Sequence, residues 1–222
     1  MTVILVLSTF LVFIVVDYVL SRKKAIQPRV APEVSVAAVA NPAYVEGFLV
    51  PETLRYHAGH SWAMRERKHL FRVGLDEFGA ALMGRIDKIE LPKPGVWIRQ
   101  GQKAFSFYRG GEKTDVLSPT EGEVVELNTD LLNDPSALRK DPYGAGWLMM
   151  VHVPDEETVD RNLVPKNMVT SWMRDAVERL YGRQPQLAGA VAADGGRPAE
   201  DVFVALSGVS WPELTGEFFL TN

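Results

Sequence analysis

The sequence predicts a mainly β domain with short helices, carried behind one N-terminal transmembrane helix. Three observations lead there. Residues 3 to 20, VILVLSTFLVFIVVDYVL, are apolar apart from two small hydroxyls and Asp17. From residue 56 to 154, short apolar runs recur between glycines and prolines: HLFRVGL, RIDKIEL, AFSFY, TDVLS, GEVVELN and GWLMMVHV. That is the spacing of strands joined by turns. Beyond Asp155 the apolar period lengthens to that of a helix, in MVTSWMRDAVERLYG.

The apolar run, at ~1.5 Å per residue, reaches about 27–30 Å, close to the hydrocarbon thickness of a bilayer. Asp17 and Tyr18 fall about one turn from its end, where polar groups reach headgroups. A cleaved signal peptide carries its positive charges before the apolar stretch. Here nothing basic precedes Val3, and Arg22, Lys23 and Lys24 follow the run. Residues 1–24 therefore read as a retained anchor that meets lipid through residues 3–20. The positive-inside rule puts the N-terminus outside and residues 22–222 on the cytoplasmic side of the inner membrane.

The remaining elements are expected in order. Residues 25–55, with Pro28, Pro32, Pro42 and Pro51, have weak periodicity and the composition of an extended tether. Residues 56–182 form the domain. Within it, Asp76 to Gly84 (DEFGAALMG) suits a short helix with an Asp cap and a closing glycine. Asn133 to Arg139 suits one further turn, started by Asp134-Pro135. The later helix places Met168, Trp172, Met173, Ala176, Val177 and Leu180 on one face and stops at Gly182. Asp155, Glu156 and Glu157 open this helical region, where carboxylates favour the positive end of the dipole. Residues 183–222 form a C-terminal extension: a Gly/Ala/Pro-rich linker, a strand over Val202–Leu206, and an aromatic docking segment over Trp211–Leu220.

Composition narrows the function. With 24 Lys+Arg against 28 Asp+Glu among 222 residues, the formal charge is −4 and the pI about 5.6. No global positive field exists to hold nucleic acid. Zero cysteines exclude disulfides, thiolate metal sites and Cys nucleophiles. His57 and His60 lie three apart, yet no carboxylate or third histidine is obviously arranged to complete a metal site, so both read as structural, and His69 and His152 are scattered. Gly79 to Gly84 has the glycine spacing of a phosphate loop without its Lys-Ser/Thr. Ser207 and Ser210 lack the nucleophile elbow, and no histidine follows His152. Catalysis has no constellation behind it. Trp172, Trp211, Phe218 and Phe219 fit core and partner interface equally.

Three stretches of residues 57–155 carry a family resemblance. Asp141 to Leu148 reads DPYGAGWL. Ser118 to Val124 reads SPTEGEV and is followed by VELN ending at Asn128. His60-x-Trp62 leads to the Asp76 helix, Gly84, Leu91-Pro92, Gly95 and Gly101. Together they resemble the H protein of the glycine cleavage system, the small carrier whose lipoyl-lysine arm shuttles an aminomethyl group between enzymes. The resemblance implies a barrel-sandwich hybrid of the lipoyl type, two antiparallel sheets with short helices. It also implies a modified lysine at a hairpin tip, in a motif like E-S-V-K-A-A-S-D. Counting back from Ser118 through Asp115 places that position at Gly111, within Tyr108-Arg-Gly-Gly-Glu-Lys-Thr-Asp115. Lys113 is two residues on, about 6–7 Å along a strand. Gly110-Gly111 reads as a two-residue turn without a carrier role.

The expectation is a non-enzymatic, membrane-anchored accessory or scaffold subunit with no cofactor, joined to other subunits of an integral membrane complex, respiratory or photosynthetic. Its partner contacts are expected at Trp172, Trp211, Phe218 and Phe219. The alternative is a membrane-tethered carrier lipoylated on Lys113.

Overall fold

The computed structural model describes residues 44–183 and 210–222. A short hairpin, β1 (Tyr44–Val45) and β2 (Phe48–Leu49), precedes β3 (Arg55–Tyr56), β4 (Ser61–Arg67) and β5 (Leu70–Leu75). Helix α1 (Glu77–Met83) leads to β6 (Lys88–Glu90), β7 (Trp97–Ile98), β8 (Lys103–Arg109), β9 (Glu112–Leu117) and β10 (Gly122–Leu127). Helices α2 (Thr129–Asn133) and α3 (Ala137–Lys140) come before β11 (Met149–His152). Two 3-10 segments, Glu156–Asn162 and Lys166–Met168, run into α4 (Val169–Arg183), and α5 (Trp211–Phe218) follows.

Six strands pair antiparallel in the order β3-β4-β5-β11-β10-β7, and β6-β8-β9 make a second antiparallel sheet. Strand side chains alternate between faces, and both sheets turn their apolar face to one core. Trp62, Val73, Val124 and Val151 enter it from the larger sheet, and Ile89, Phe105, Phe107 and Val116 from the smaller. The fold is mainly β with short helices, the two-sheet arrangement that the resemblance implies.

Local chemistry explains the ends of elements. Asp76, extended at φ −72° and ψ 170°, accepts the Gly79 N–H at 2.7 Å and so starts α1, while Gly84, at φ 62°, closes it. Asn128 caps α2 by accepting from the Leu131 N–H at 3.2 Å. Its amide also donates to the carbonyls of Ala145 and Trp147, each at 2.8 Å. Asp141 in turn accepts the N–H groups of Gly144 at 2.9 Å and Ala145 at 2.8 Å. The DPYGAGWL stretch is therefore a hydrogen-bonded turn tied to the end of β10. A Cβ on Gly144 would lie 2.1 Å from an Asp141 oxygen, so close approach dictates glycine there.

Several expectations need correction. The tether expected over 25–55 does not hold for residues 44–55. Val45, Phe48, Val50 and Leu54 are buried in the core. Tyr143 donates to the Leu49 carbonyl at 2.6 Å, and the Leu49 N–H donates to Glu77. Proline spacing hid an element whose stability comes from tertiary contacts. Met168, expected on the buried helix face, is 52% exposed, because a 3-10 turn precedes α4 and breaks the period before Val169. Helix α4 runs past Gly182 to Arg183.

Trp211, Phe218 and Phe219 are fully buried within this chain, so the structure makes them core residues and not partner contacts. Trp172 is half-buried and stacks on His60 at 4.7 Å. The docking segment does dock, but onto its own domain. The Val202–Leu206 strand and the 3–20 anchor lie outside the described residues, among which no helix is long and apolar enough to cross a membrane.

Candidate functional site

The hairpin of β8 and β9 is the candidate site, since it carries both Gly111 and Lys113. Its register pairs Arg109 with Glu112, Tyr108 with Lys113, Phe107 with Thr114, Ser106 with Asp115 and Phe105 with Val116. Alternation sends Phe105, Phe107, Thr114 and Val116 inward, and all four are buried. Ser106, Tyr108, Lys113 and Asp115 share the opposite, outer face.

Between Arg109 and Glu112 the tip is Gly110-Gly111, at φ 57° and 86°. Positive φ at both central residues is the geometry that a two-residue primed turn demands. The tip is held from below. Asp87 accepts the Gly110 N–H at 2.6 Å, and Arg109 donates to the Met83 carbonyl at the end of α1 at 3.1 Å. The hairpin thus has a fixed tip that presents backbone and no side chain.

A polar ladder covers the outer face. Lys113 Nζ lies 3.0 Å from Asp115 Oδ1, which also accepts from Ser106 Oγ at 2.7 Å. Tyr108 donates to Glu90 Oε2 at 2.6 Å, and Lys88 reaches Glu90 Oε1 at 2.6 Å while standing over the Tyr108 ring. The hydrogen bond to Asp115 raises the Lys113 pKa above that of an ordinary lysine. For Asp115 itself burial pushes upward, but hydrogen bonds from Ser106 and Lys113 outweigh it and hold the carboxyl low. Lys88 and Tyr108 lower Glu90 in the same way. These groups neutralise one another in place, the behaviour of a solvated ladder and not of a general acid and base.

A lipoyl-lysine does not fit the aligned position. Gly111 has no side chain to bear the group, and Lys113, 48% exposed, is on the descending strand with its ammonium engaged by Asp115.

Beneath the hairpin lies a second cluster. His60 and Asp76 are both fully buried, with His60 Nδ1 2.9 Å from Asp76 Oδ2. A carboxylate accepts, so Nδ1 donates, and Nε2 is left buried with no partner. The ring is stacked between Phe78 at 4.4 Å and Trp172 at 4.7 Å. His57 accepts the Gly59 N–H through Nδ1 at 3.0 Å, and burial, then the nearby His60, lowers its pKa. Both histidines have structural roles. The chain's sequence showed Asp76 as a helix cap; nothing in it pairs residue 76 with residue 60. The Lys113-x-Asp115 alternation was the one visible signal of the outer ladder.

Comparison with known proteins places the hairpin in context. The family model for the glycine cleavage H-protein matches residues 54–176, more than half of the chain. The glycine cleavage system H protein of Mycobacterium leprae is 37% identical over 106 residues, covering 48% of this chain and 80% of that protein. That of Alteromonas mediterranea is 36% identical over 111 residues, covering 50% and 86%. A crystal structure of a glycine cleavage system H protein from Mycobacterium marinum aligns at 28% identity with a TM-score of 0.44, covering 47% of this chain and 87% of that one. The chain belongs to the glycine cleavage H-protein family. Strands β1 and β2 precede the matched region, and α5 lies beyond it.

Proposed function

We propose that this chain is a non-catalytic docking module of H-protein type, held at a membrane by residues 3–20 and serving as an accessory subunit of a larger membrane complex. One observation carries this reading: the hairpin keeps its register from Phe105–Val116 up to Arg109–Glu112, with its tip pinned to Asp87, while the tip itself is Gly110-Gly111. The domain has the carrier's shape without the carrier's lysine at the tip. The Arg22-Lys23-Lys24 flank supports a cytoplasmic position for the domain.

Family membership favours a second reading, a working lipoyl carrier modified on Lys113. The relatives compared are themselves glycine cleavage system H proteins. Lys113 is also half exposed on an outward face, within reach of a ligase. Against it stand the offset of two residues from the tip and the hold of Asp115.

Two experiments separate the readings. After gentle extraction from membranes, an accessory subunit co-migrates with a larger complex, whereas migration alone across several detergents supports the tethered carrier. Gly111→Lys places an amine at the pinned tip, and lipoylation of this variant beside an active ligase is expected where the unaltered chain takes none. Failure of the variant to be modified would mean that this hairpin has lost more than its lysine. For topology, protease added to right-side-out vesicles should leave residues 57–155 intact, and digestion from outside would contradict the cytoplasmic placement.

A further inference from the structure

The 3-10 segment Glu156–Asn162 is strapped across one face of β3, β4 and β5. Arg55 pairs with Ala63 and Arg65 with Phe71 in the ladder, and residues directly opposite one another project to the same side, so these four side chains share that face. Two ion pairs fasten the segment to it. Arg55 Nε lies 2.9 Å from Asp160 Oδ1, and its Nη2 donates to Oδ2 at 3.3 Å. Arg65 Nε lies 2.8 Å from Glu156 Oε2, whose other oxygen accepts the His69 N–H at 2.5 Å. Gln100 fixes the middle of the segment by donating to the Val159 carbonyl at 2.8 Å and to the Pro119 carbonyl at 3.0 Å.

Between segment and sheet a cavity of about 240 Å³ remains. An apolar hollow of about 150 Å³ already holds a benzene ring. Part of the lining is apolar: Ala63, Phe71 and Val159 are 0%, 6% and 3% exposed. The charged part sets Arg55, Arg65 and Lys166 against Glu156 and Asp160. Each carboxylate is matched by one arginine, and Lys166 has no carboxylate partner among the described residues, so one positive charge is in excess. The ion pairs also leave donors over. Nη1 of Arg55 and both Nη atoms of Arg65 have no acceptor among the described residues.

We propose that this cavity binds a small organic monocarboxylate, its carboxylate received by Arg55, Arg65 and Lys166 and its apolar body packed on Ala63, Phe71 and Val159. Guanidinium N–H groups match the two oxygens of a carboxylate, and an apolar lining with a few placed polar groups is the usual make-up of a small-molecule site. The single excess charge matches a monoanion. A phosphate dianion would bring a second, uncompensated charge beside Glu156 and Asp160, and any inorganic ion would leave the apolar lining unfilled. Strands on one side and a pinned segment on the other hold the site in shape before the ligand arrives, which lowers the cost of binding. A second cavity, about 400 Å³, shares Lys166 but adds only Glu52 to it as a charge, so it lacks the excess. None of the residues lining the first cavity belongs to the β8–β9 hairpin, so the inference stands whichever reading of that hairpin holds.

The test titrates benzoate into the full, isotope-labelled chain in a non-ionic detergent and follows backbone amide shifts. Saturable shifts are expected in the millimolar range, concentrated at Ala63, Arg65, Phe71 and Val159. Benzamide has the same shape without the charge and should bind about tenfold more weakly. Lys166→Met breaks no ion pair, so it should weaken benzoate about tenfold and leave the thermal unfolding midpoint unchanged, while Lys166→Arg should keep the affinity. The proposal is overturned if benzoate gives no saturable shift at these amides, if benzamide binds as well as benzoate, if inorganic phosphate displaces benzoate with equal affinity, or if Lys166→Met binds like the unaltered chain.

Discussion

Asp76→Ala is expected to lower the unfolding free energy by about 3–5 kcal/mol, since it breaks a fully buried pair and removes a helix cap at once. Both carboxylate oxygens are used: one accepts the Gly79 N–H at 2.7 Å and the other faces His60 Nδ1 at 2.9 Å. Alanine leaves two buried donors without acceptors. Asp76→Asn keeps an acceptor for Gly79 and turns an amide N–H toward His60 Nδ1, which accepts it once the ring proton moves to Nε2, so its loss should be smaller, about 1–2 kcal/mol. Urea unfolding with an unchanged m-value checks both. Equal losses for the two variants would mean that the cap on Gly79 contributes little and that the carboxylate's contact with His60 carries the effect.

Trp62→Ala should cost a similar amount, about 3–5 kcal/mol, by opening a cavity where a large ring is fully buried. The indole lies flat across Gly74, its cross-strand partner, and donates to the Leu75 carbonyl at 2.9 Å. The closeness gives the prediction a second arm. A Cβ at residue 74 would lie 2.4 Å from the ring, so Gly74→Ala alone should cost about 1–3 kcal/mol through overpacking. In the Trp62→Ala background the same change meets no ring and should cost far less. A double-mutant cycle with strictly additive losses would show that the two residues do not press on each other.

What the sequence made legible follows the range of the interactions concerned. The α1 cap, its closing glycine and the Gly110-Gly111 turn were readable because each is decided within a few residues. The alternation of β8 and β9 was readable because burial has period two. Residues 44–55 were not, since Pro42 and Pro51 resemble a tether, whereas Phe48 is buried against Phe78 of α1 and Leu49 is tied to Tyr143. The destination of Trp211, Phe218 and Phe219 was undecidable for a related reason: an apolar helix face has the same pattern whether it meets its own domain or another protein. The His60–Asp76 pair joins residues brought together by the β4–β5 hairpin, and no local spacing announces it.

For the candidate site, the sequence located the hairpin and the missing tip lysine. It did not reveal that Lys113 is held by Asp115, or that the tip is braced by Asp87 and Arg109. Those contacts turn the absence of a lysine at residue 111 into a statement about geometry, because a tip fixed in this way cannot slide two residues to present Lys113 without breaking the register of the whole hairpin.

The most direct test is the intact mass of the full chain, purified from cells with an active lipoyl ligase and supplied lipoate. An unmodified mass is predicted, because the pinned tip offers only glycine. A lipoyl increment, located by fragmentation to Lys113, would contradict it and make the chain a lipoyl carrier.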